Sequence, residues 1–294
     1  MPCAAAALSL SLLLAAGPSA GEPPPSCPDC ALWNRAQAPF RIFGNTWYVG
    51  VHGLAAVLIT SPQGHVLIDG DLPESAPRIA ANIGALGFGI KDVKLILNTH
   101  VHFDHAGGIA ALQRLSGARV AASELSAPVL RRGGSGPDDP QYGMLPPIEK
   151  IGEVAVFHDG ETLDVGPIAV TAHLTPGHTP GGTSWTWKSC EKARCLDVVY
   201  ADSLTPVSAP AFEFSRSRQY PNAVADFERS FATLESLPCG ILITTHPDAS
   251  DFWGRVERRS RGDASGLIDA KACARYAAAG RERLRRRLAT EGVR

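Results

Sequence analysis

A short histidine-rich stretch constrains this chain more than any other feature. Between Asn98 and Gly108, four potential metal ligands fall within six residues: His100, His102, Asp104 and His105. The apolar run 93–97 before them predicts a buried strand. Two histidines that are two residues apart at a strand end point to the same side. The next two ligands are then expected in a turn, before Gly107 and Gly108 open a helix.

Imidazole and carboxylate side chains in this arrangement are typical zinc ligands, and a catalytic zinc keeps one position open for water. Histidines at a strand end can also simply form hydrogen bonds in a core, but this spacing favours metal binding. One ion cannot easily use all four groups in so short a turn. We therefore expect two ions side by side, each completed from elsewhere in the chain. His178 and His246 are the candidates, because both lie where strand-like runs end.

The chain's size and charge limit the classes of function. Its 294 residues, 45% of them hydrophobic, are enough for a substantial core. A formal net charge of −1 gives no general attraction to nucleic acid or anionic membranes, and we expect neither as a partner. The arginines between 281 and 287 fit a solvated helix face. We expect a monomer.

The first residues have the pattern of an export signal. Residues 4–16 are apolar but too few to span a bilayer, and small residues follow them. No Lys or Arg precedes the run, which departs from the usual pattern. We expect a signal peptide over 1–21, a proline-rich segment over 22–39 and one domain over 40–294. The mature protein would be periplasmic and free of the membrane.

The cysteines agree with export. Six remain after the signal, and an even number in an exported chain suggests disulfides, with 15 possible connectivities. Cys190 and Cys195 fit a bridge across a hairpin, and Cys27 and Cys30 a further one. The last pair could alternatively be redox-active or hold a structural zinc.

The remaining pattern alternates strands with helices. Strands are expected within 40–70, at 118–121, within 154–201 and at 240–244. Helices are expected near 75–86, 124–132, 222–237 and 269–290. This order predicts two packed sheets with helices outside. The Gly- and Pro-rich loop 133–147 is long enough to be a lid or wall of the site.

Four motifs together resemble the metallo-β-lactamase superfamily over residues 40–290. They are His-x-His-x-Asp-His at 100–105, Pro-Gly-His-Thr-Pro-Gly-Gly at 176–182, Tyr-Ala-Asp-Ser at 200–203 and the strand-end His246. The resemblance implies an α+β fold, the αββα sandwich, with the site at the sheet edge. Three details of the sequence resemble the third subclass (B three) of the metallo-β-lactamases. They are His100, His105 directly after Asp104, and Ser203 where the other two subclasses carry a Cys ligand.

The resemblance also implies roles for individual residues. One zinc would take His100, His102 and His178, and the other Asp104, His105 and His246. A zinc-bound hydroxide, oriented by Asp104, would attack the β-lactam ring of penicillins, cephalosporins or carbapenems and so confer resistance. Ser203 and Thr205 would bind the substrate carboxylate, unless they form only an ordinary turn. Asp69 would brace the site without binding metal. Cys239 and Cys273 would form a disulfide.

Three alternatives remain open. A thioester hydrolase similar to glyoxalase II, or a lactonase, would use Asp202 to bridge both metals, whereas in the lactamase Asp202 points away. Only about one helix is expected after His246, which disfavours glyoxalase II. A zinc protein without catalysis is disfavoured because structural zinc sites are closed. The other histidines are expected away from the metals, with His52 nearest: His52, His65, His158 and His173.

Overall fold

Two β-sheets form the centre of the protein, which is described by a computed structural model covering Met1 and residues 27–293. The first sheet has seven strands in sequence order, antiparallel from β1 to β4 and parallel from β4 to β7. They are β1 (Phe40–Phe43), β2 (Thr46–Tyr48), β3 (Val57–Ile59), β4 (His65–Ile68), β5 (Val93–Leu97), β6 (Arg119–Ser123) and β7 (Val154–Phe157).

The second sheet has five strands in the order β12-β11-β10-β9-β8. They are β8 (Thr162–Val165), β9 (Ile168–Leu174), β10 (Thr183–Glu191), β11 (Arg194–Ala201) and β12 (Ile241–Thr244). Only β11 and β12 pair in parallel. As a result, β11 and β12 end at the same edge of this sheet.

The helices lie against the two sheets, most of them on the outer faces, and the helix that carries Phe252 packs into the cluster between the sheets. They are α1 (Cys30–Trp33), α2 (Ala76–Ala85), α3 (Phe103–Ala106), α4 (Ile109–Ser116), α5 (Ser126–Arg132), α6 (Ala223–Ser236), α7 (Phe252–Ser260) and α8 (Ala272–Thr290). One apolar cluster lies beneath α2, α4 and α5, and another beneath α6 and α8. A third joins the two sheets through Tyr48, Trp185 and Tyr200. This layering confirms the αββα sandwich.

Several local expectations differ from the structure. Asp104 and His105 lie in α3 rather than in a turn. Two helices, α7 and α8, follow His246 where about one was expected. None of the helices in residues 27–293 is both long and apolar enough to cross a membrane.

All six cysteines within residues 27–293 are paired. The disulfides are Cys27–Cys30, Cys190–Cys195 and Cys239–Cys273, the pairings that were expected. Cys239–Cys273 ties the start of α8 to the segment before β12. The proposed signal peptide over 1–21 and the first residues of the proline-rich segment lie outside the described residues.

Candidate metal centre

The histidine-rich motif folds tightly against the end of β4. The backbone N–H of Gly70 donates to the carbonyl of His105 at 2.9 Å. A Cβ atom at Gly108 would lie 2.2 Å from the carbonyl oxygen of Gly70, so only glycine allows this approach. The Gly107-Gly108 pair therefore does more than open α4: it lets the ligand-bearing helix α3 pack against the first sheet.

The first donor group consists of His100, His102 and His178, whose ligand atoms lie within 4.8 Å of one another. Nδ1 of His100 donates to Oδ1 of Asp202 at 2.7 Å. Its Nε2 is buried and has no hydrogen-bond partner. A buried, unpartnered acceptor costs free energy unless something else binds it. The atom is therefore placed for a metal ion.

The second donor group is a close triangle. Oδ2 of Asp104 lies 3.3 Å from Nε2 of His105 and 3.3 Å from Nε2 of His246, and the two nitrogens are 3.2 Å apart. Ligands at about 2.0–2.1 Å around a tetrahedral zinc lie about 3.3 Å from each other. The donor atoms of His100, Asp104 and His105 also lie within 4.8 Å of one another, so the two groups adjoin.

Electrostatics keep His100, His178 and Asp104 in the forms that bind cations. His102 differs, because burial would lower its pKa but the neighbouring Asp139 raises it above the usual value. Burial lowers the pKa of His100 well below its usual range, and burial with His102 nearby lowers that of His178 to about 3. Burial alone would raise the pKa of Asp104, but His105 and His246 hold it well below its usual range. Neutral imidazole and ionised carboxylate are the metal-binding forms.

Each histidine of the first group is oriented from behind by an acceptor. Asp202 holds His100, the carbonyl oxygen of Thr205 accepts from Nδ1 of His178 at 2.7 Å, and Asp139 lies 3.0 Å from Nε2 of His102. These contacts fix which ring nitrogen keeps a free lone pair. Although burial would raise the pKa of Asp139, His102 and neighbouring donors lower it to about 2.

Asp202 lies behind His100, away from the metal-facing Nε2. Its carboxylate contacts Nδ1 of the ring at 2.7 Å, a contact that the sequence did not suggest. A Cβ atom at Gly182 would lie 2.4 Å from Oδ2 of Asp202, so this glycine leaves room for the carboxylate. Burial raises the pKa of Asp202, and a cation bound to His100 would favour the ionised form.

The loop after α5 closes one side of the centre, as expected for a lid or wall. The Gln141 amide nitrogen lies 3.3 Å from Nδ1 of His102 and 3.5 Å from Nε2 of His178. Neither Asp139 nor Gln141 was singled out as a site residue from the sequence. The only signal was the length and composition of the loop.

Asp69 braces the motif without contacting a candidate ligand. Its carboxylate accepts hydrogen bonds from the backbone N–H and hydroxyl of Thr99, both at 2.8 Å, and from the hydroxyl of Tyr200 at 2.9 Å. Burial raises its pKa to about 7 despite these donors. The backbone φ of Asp69 is 64°, a left-handed conformation that turns the chain at the end of β4.

The two residues expected to bind substrate lie after β11. The hydroxyl of Ser203 is 2.9 Å from that of Thr245, and Ser203 is 3% exposed. Thr205 contacts the centre through its carbonyl, which accepts from His178. Thr205 thus has a positioning contact that the sequence did not suggest.

An aromatic side chain from the N-terminal segment reaches the second group. The ring of Trp33 in α1 lies edge-on to His246, with centroids 5.3 Å apart. The backbone N–H of Gly53 donates to the carbonyl of Trp33, and Cys27, Cys30 and Trp33 pack on the main core. The described part of the 22–39 segment therefore belongs to the wall of the site.

The remaining histidines contact other parts of the chain. His52 stacks on Trp253, His65 accepts from the backbone of Ser61, and His173 lies 2.8 Å from the Thr186 hydroxyl. His158 packs near the turn before β8, where its backbone N–H donates to Glu161. His52 was expected to be the nearest of these to the metals, but its ring pairs with Gln37 and Trp253.

Comparison with known proteins identifies the family. Residues 49–246 match the metallo-beta-lactamase superfamily. The structure is similar to that of the Rm3 metallo-beta-lactamase, with 58% identity, a TM-score of 0.89, and coverage of 91% of this chain and 100% of that one. It is also similar to MEM-A1, a subclass B3 metallo-beta-lactamase isolated from a soil metagenome library. For MEM-A1 the identity is 54%, the TM-score 0.87, and the coverage 88% and 98% of the two chains.

A more distant relative has another activity. The hydroxyacylglutathione hydrolase of Jannaschia sp. (strain CCS1) is 26% identical over 211 residues, which are 67% of this chain and 68% of that one. The match to the Rm3 metallo-beta-lactamase, at 58% identity over 91% of this chain, is much stronger. The chain therefore belongs to the metallo-β-lactamase superfamily and, within it, to the subclass B3 metallo-β-lactamases.

Proposed function

We propose that this protein hydrolyses the amide bond of β-lactam antibiotics and does so with two zinc ions. The observation that carries the proposal is the pair of adjoining donor groups in a chain that is 58% identical to a metallo-beta-lactamase over 91% of its own length. His100, His102 and His178 would hold one ion. Asp104, His105 and His246 would hold the other.

The donor set fits zinc. Five imidazoles and one carboxylate are ligands that suit zinc rather than calcium or magnesium, and the triangle of 3.2–3.3 Å has the right size. When bound, zinc supplies Lewis acidity and lowers the pKa of a coordinated water to about 7.

The protein's own residues would hold the zinc ligands in position and exclude water from the site. Asp202, the Thr205 carbonyl and Asp139 fix the three imidazoles, so that little reorganisation is needed during the reaction. Ser203 and Thr205 would donate to the substrate carboxylate from the loop after β11. Trp33 would line the site beside His246, and Gln141 would line it beside His102 and His178.

A thioester hydrolase is the second candidate, because the distant relative carries that activity and Asp202 matches a bridging position. The geometry favours the lactamase. The Asp202 carboxylate contacts Nδ1 of His100, behind the ring, instead of the space in front of Nε2. Bridging two metals would require it to leave this buried contact.

A serine mechanism is disfavoured even though one Ser-x-x-Lys sequence occurs, at Ser189–Lys192. The Ser189 hydroxyl is fully buried and donates to the carbonyl of Phe43 at 2.8 Å. Ser189 lies six residues along β10 from Thr183, which contacts the motif, or about 20 Å at 3.3 Å per residue.

A substrate panel tests the proposed reaction. The zinc-loaded protein would be assayed with a penicillin, a cephalosporin, a carbapenem, an N-acyl homoserine lactone and a glutathione thioester. We expect turnover of the lactams, and turnover of the thioester alone would favour the second candidate.

Export is proposed from the apolar run 4–16 and the three disulfides. N-terminal sequencing of the periplasmic protein tests this proposal. We also propose that the protein is a monomer, which analytical sedimentation tests.

A further inference from the structure

Asp139 lies in the middle of the loop that closes the metal centre, and its carboxylate is almost completely buried. The residue is 3% exposed, although the two residues before it, Pro137 and Asp138, are exposed. A buried carboxylate is costly unless donors surround it. The identity of those donors shows what the residue does.

The first donor is the ring of His102. Nε2 of His102 lies 3.1 Å from Oδ1 and 3.0 Å from Oδ2 of Asp139. Because an ionised carboxylate only accepts, the ring must carry its proton on Nε2. In the neutral ring Nδ1 then has the free lone pair, and this atom faces the Gln141 amide nitrogen at 3.3 Å. His102 can therefore bind a metal only through Nδ1.

The other donors belong to the loop itself. The hydroxyl of Ser135 donates to Oδ2 at 2.6 Å, and the backbone N–H of Gln141 donates to Oδ1 at 2.8 Å. The following carbonyl, of Pro140, accepts from the backbone of Ala209 at 2.8 Å. One carboxylate thus holds the two halves of the loop together and joins them to a candidate metal ligand.

We propose that Asp139 is a positioning residue that couples the order of the loop 133–148 to metal binding by His100, His102 and His178. The inference rests on the proposed function, in that these histidines bind zinc. An ion held by Nδ1 of His102 fixes that ring, and the ring holds Asp139, which in turn orders the loop. Conversely, an ordered loop presents His102 in the one tautomer that can bind.

The test compares Asp139→Ala and Asp139→Asn with the matched control Asp138→Ala, which alters the exposed neighbouring carboxylate. Zinc affinity is measured by competition with a chromophoric chelator. Hydrogen exchange of the loop amides is measured with and without zinc. Circular dichroism and thermal unfolding check that each variant folds.

We expect Asp139→Ala to weaken one of the two zinc equivalents by about 10–100-fold. Asp139→Asn should lose less, because its remaining oxygen can still accept from His102. In the wild type and in the control, zinc should slow exchange across the loop, and this effect should disappear in Asp139→Ala. Nitrogen-15 spectra of the zinc-free protein should show the proton of His102 on Nε2 in the wild type and a tautomer mixture in Asp139→Ala.

The outcomes separate this inference from the proposed function. A wild-type protein that binds no zinc would contradict the proposed function itself. A folded Asp139→Ala variant with wild-type zinc affinity, or with loop protection still induced by zinc, would overturn the inference and leave the function untouched. If Asp139→Ala fails to fold, Asp139→Asn decides by the same two measurements.

Discussion

Asp202 and His100 form a fully buried pair, with Oδ1 2.7 Å from Nδ1, that links the end of β11 to the histidine-rich motif. The contact spans 102 residues of sequence. It aims Nε2 of His100 at the point where the two donor groups adjoin. This one contact orients His100, whose donor atom lies close to both donor groups. It also holds the Asp202 carboxylate behind the ring, away from a position between two metal ions.

Removing the Asp202 carboxylate should therefore weaken metal binding indirectly. We expect Asp202→Ala to lower zinc affinity by about 10–100-fold, because His100 loses the acceptor that fixes its tautomer. Asp202→Asn should lose less, since its amide oxygen can still accept. Competition with a chelator measures this, and Asp197→Asn, which alters a partly exposed carboxylate in the preceding strand β11, is the control. Unchanged affinity in a folded Asp202→Ala would show that the contact has no positioning role.

Ser203→Ala tests the proposed substrate contact. If the hydroxyl binds the substrate carboxylate in both ground and transition states, KM for lactams should rise several-fold while kcat changes little. Steady-state kinetics measure this, with Ser208→Ala as the control because its hydroxyl accepts from Arg287. Wild-type KM in Ser203→Ala would mean that the hydroxyl serves only its contact with Thr245.

The Cys239–Cys273 disulfide should contribute most to stability. It joins residues 34 apart in sequence, and in the chain-entropy model closing a loop of that length stabilises the fold by about 3–4 kcal/mol. Cys190–Cys195, with a separation of 5, should contribute about 2 kcal/mol. Denaturant unfolding of the two double-serine variants compares them. Equal losses would contradict a chain-entropy origin.

Asp69 should make the zinc-free protein less stable as the pH rises. The unfolded carboxyl has a pKa of about 3.9, whereas burial raises the folded value to about 7. Between these values the folded state binds more protons, so stability falls with rising pH. In chelator, the stability of the wild type relative to Asp69→Asn should decrease from pH 4 to pH 7 and then level off. A difference that grows with pH would contradict the raised pKa.

The sequence was sufficient for the parts of the site that depend on local spacing. The motif at 100–105 and the strand ends before His178 and His246 are short-range features, and the structure brings these residues together. The sandwich was also predictable, since alternating apolar runs give the strands and helices that build it.

Other parts depend on contacts that local patterns do not encode. Asp139 reaches His102 across 37 residues from a loop without periodicity, and Trp33 reaches His246 from the opposite end of the chain. Helix α7 was missed because its nine residues include Gly254 and three arginines, so that it contains few apolar residues. The direction of the Asp202 side chain depends on Gly182, which lies just before β10 and leaves room for the carboxylate because it has no Cβ atom.

The most direct test of the central claim is the zinc dependence of lactam hydrolysis by the purified protein. The rate with one chromogenic cephalosporin would be followed during titration with zinc, after complete removal of metal by a chelator. The account predicts no turnover without metal, recovery as zinc is added up to two equivalents, and a kcat/KM in the range of about 10⁴–10⁸ M⁻¹s⁻¹. Full activity of the metal-free protein, or a zinc-loaded protein that leaves the lactam intact, would contradict it.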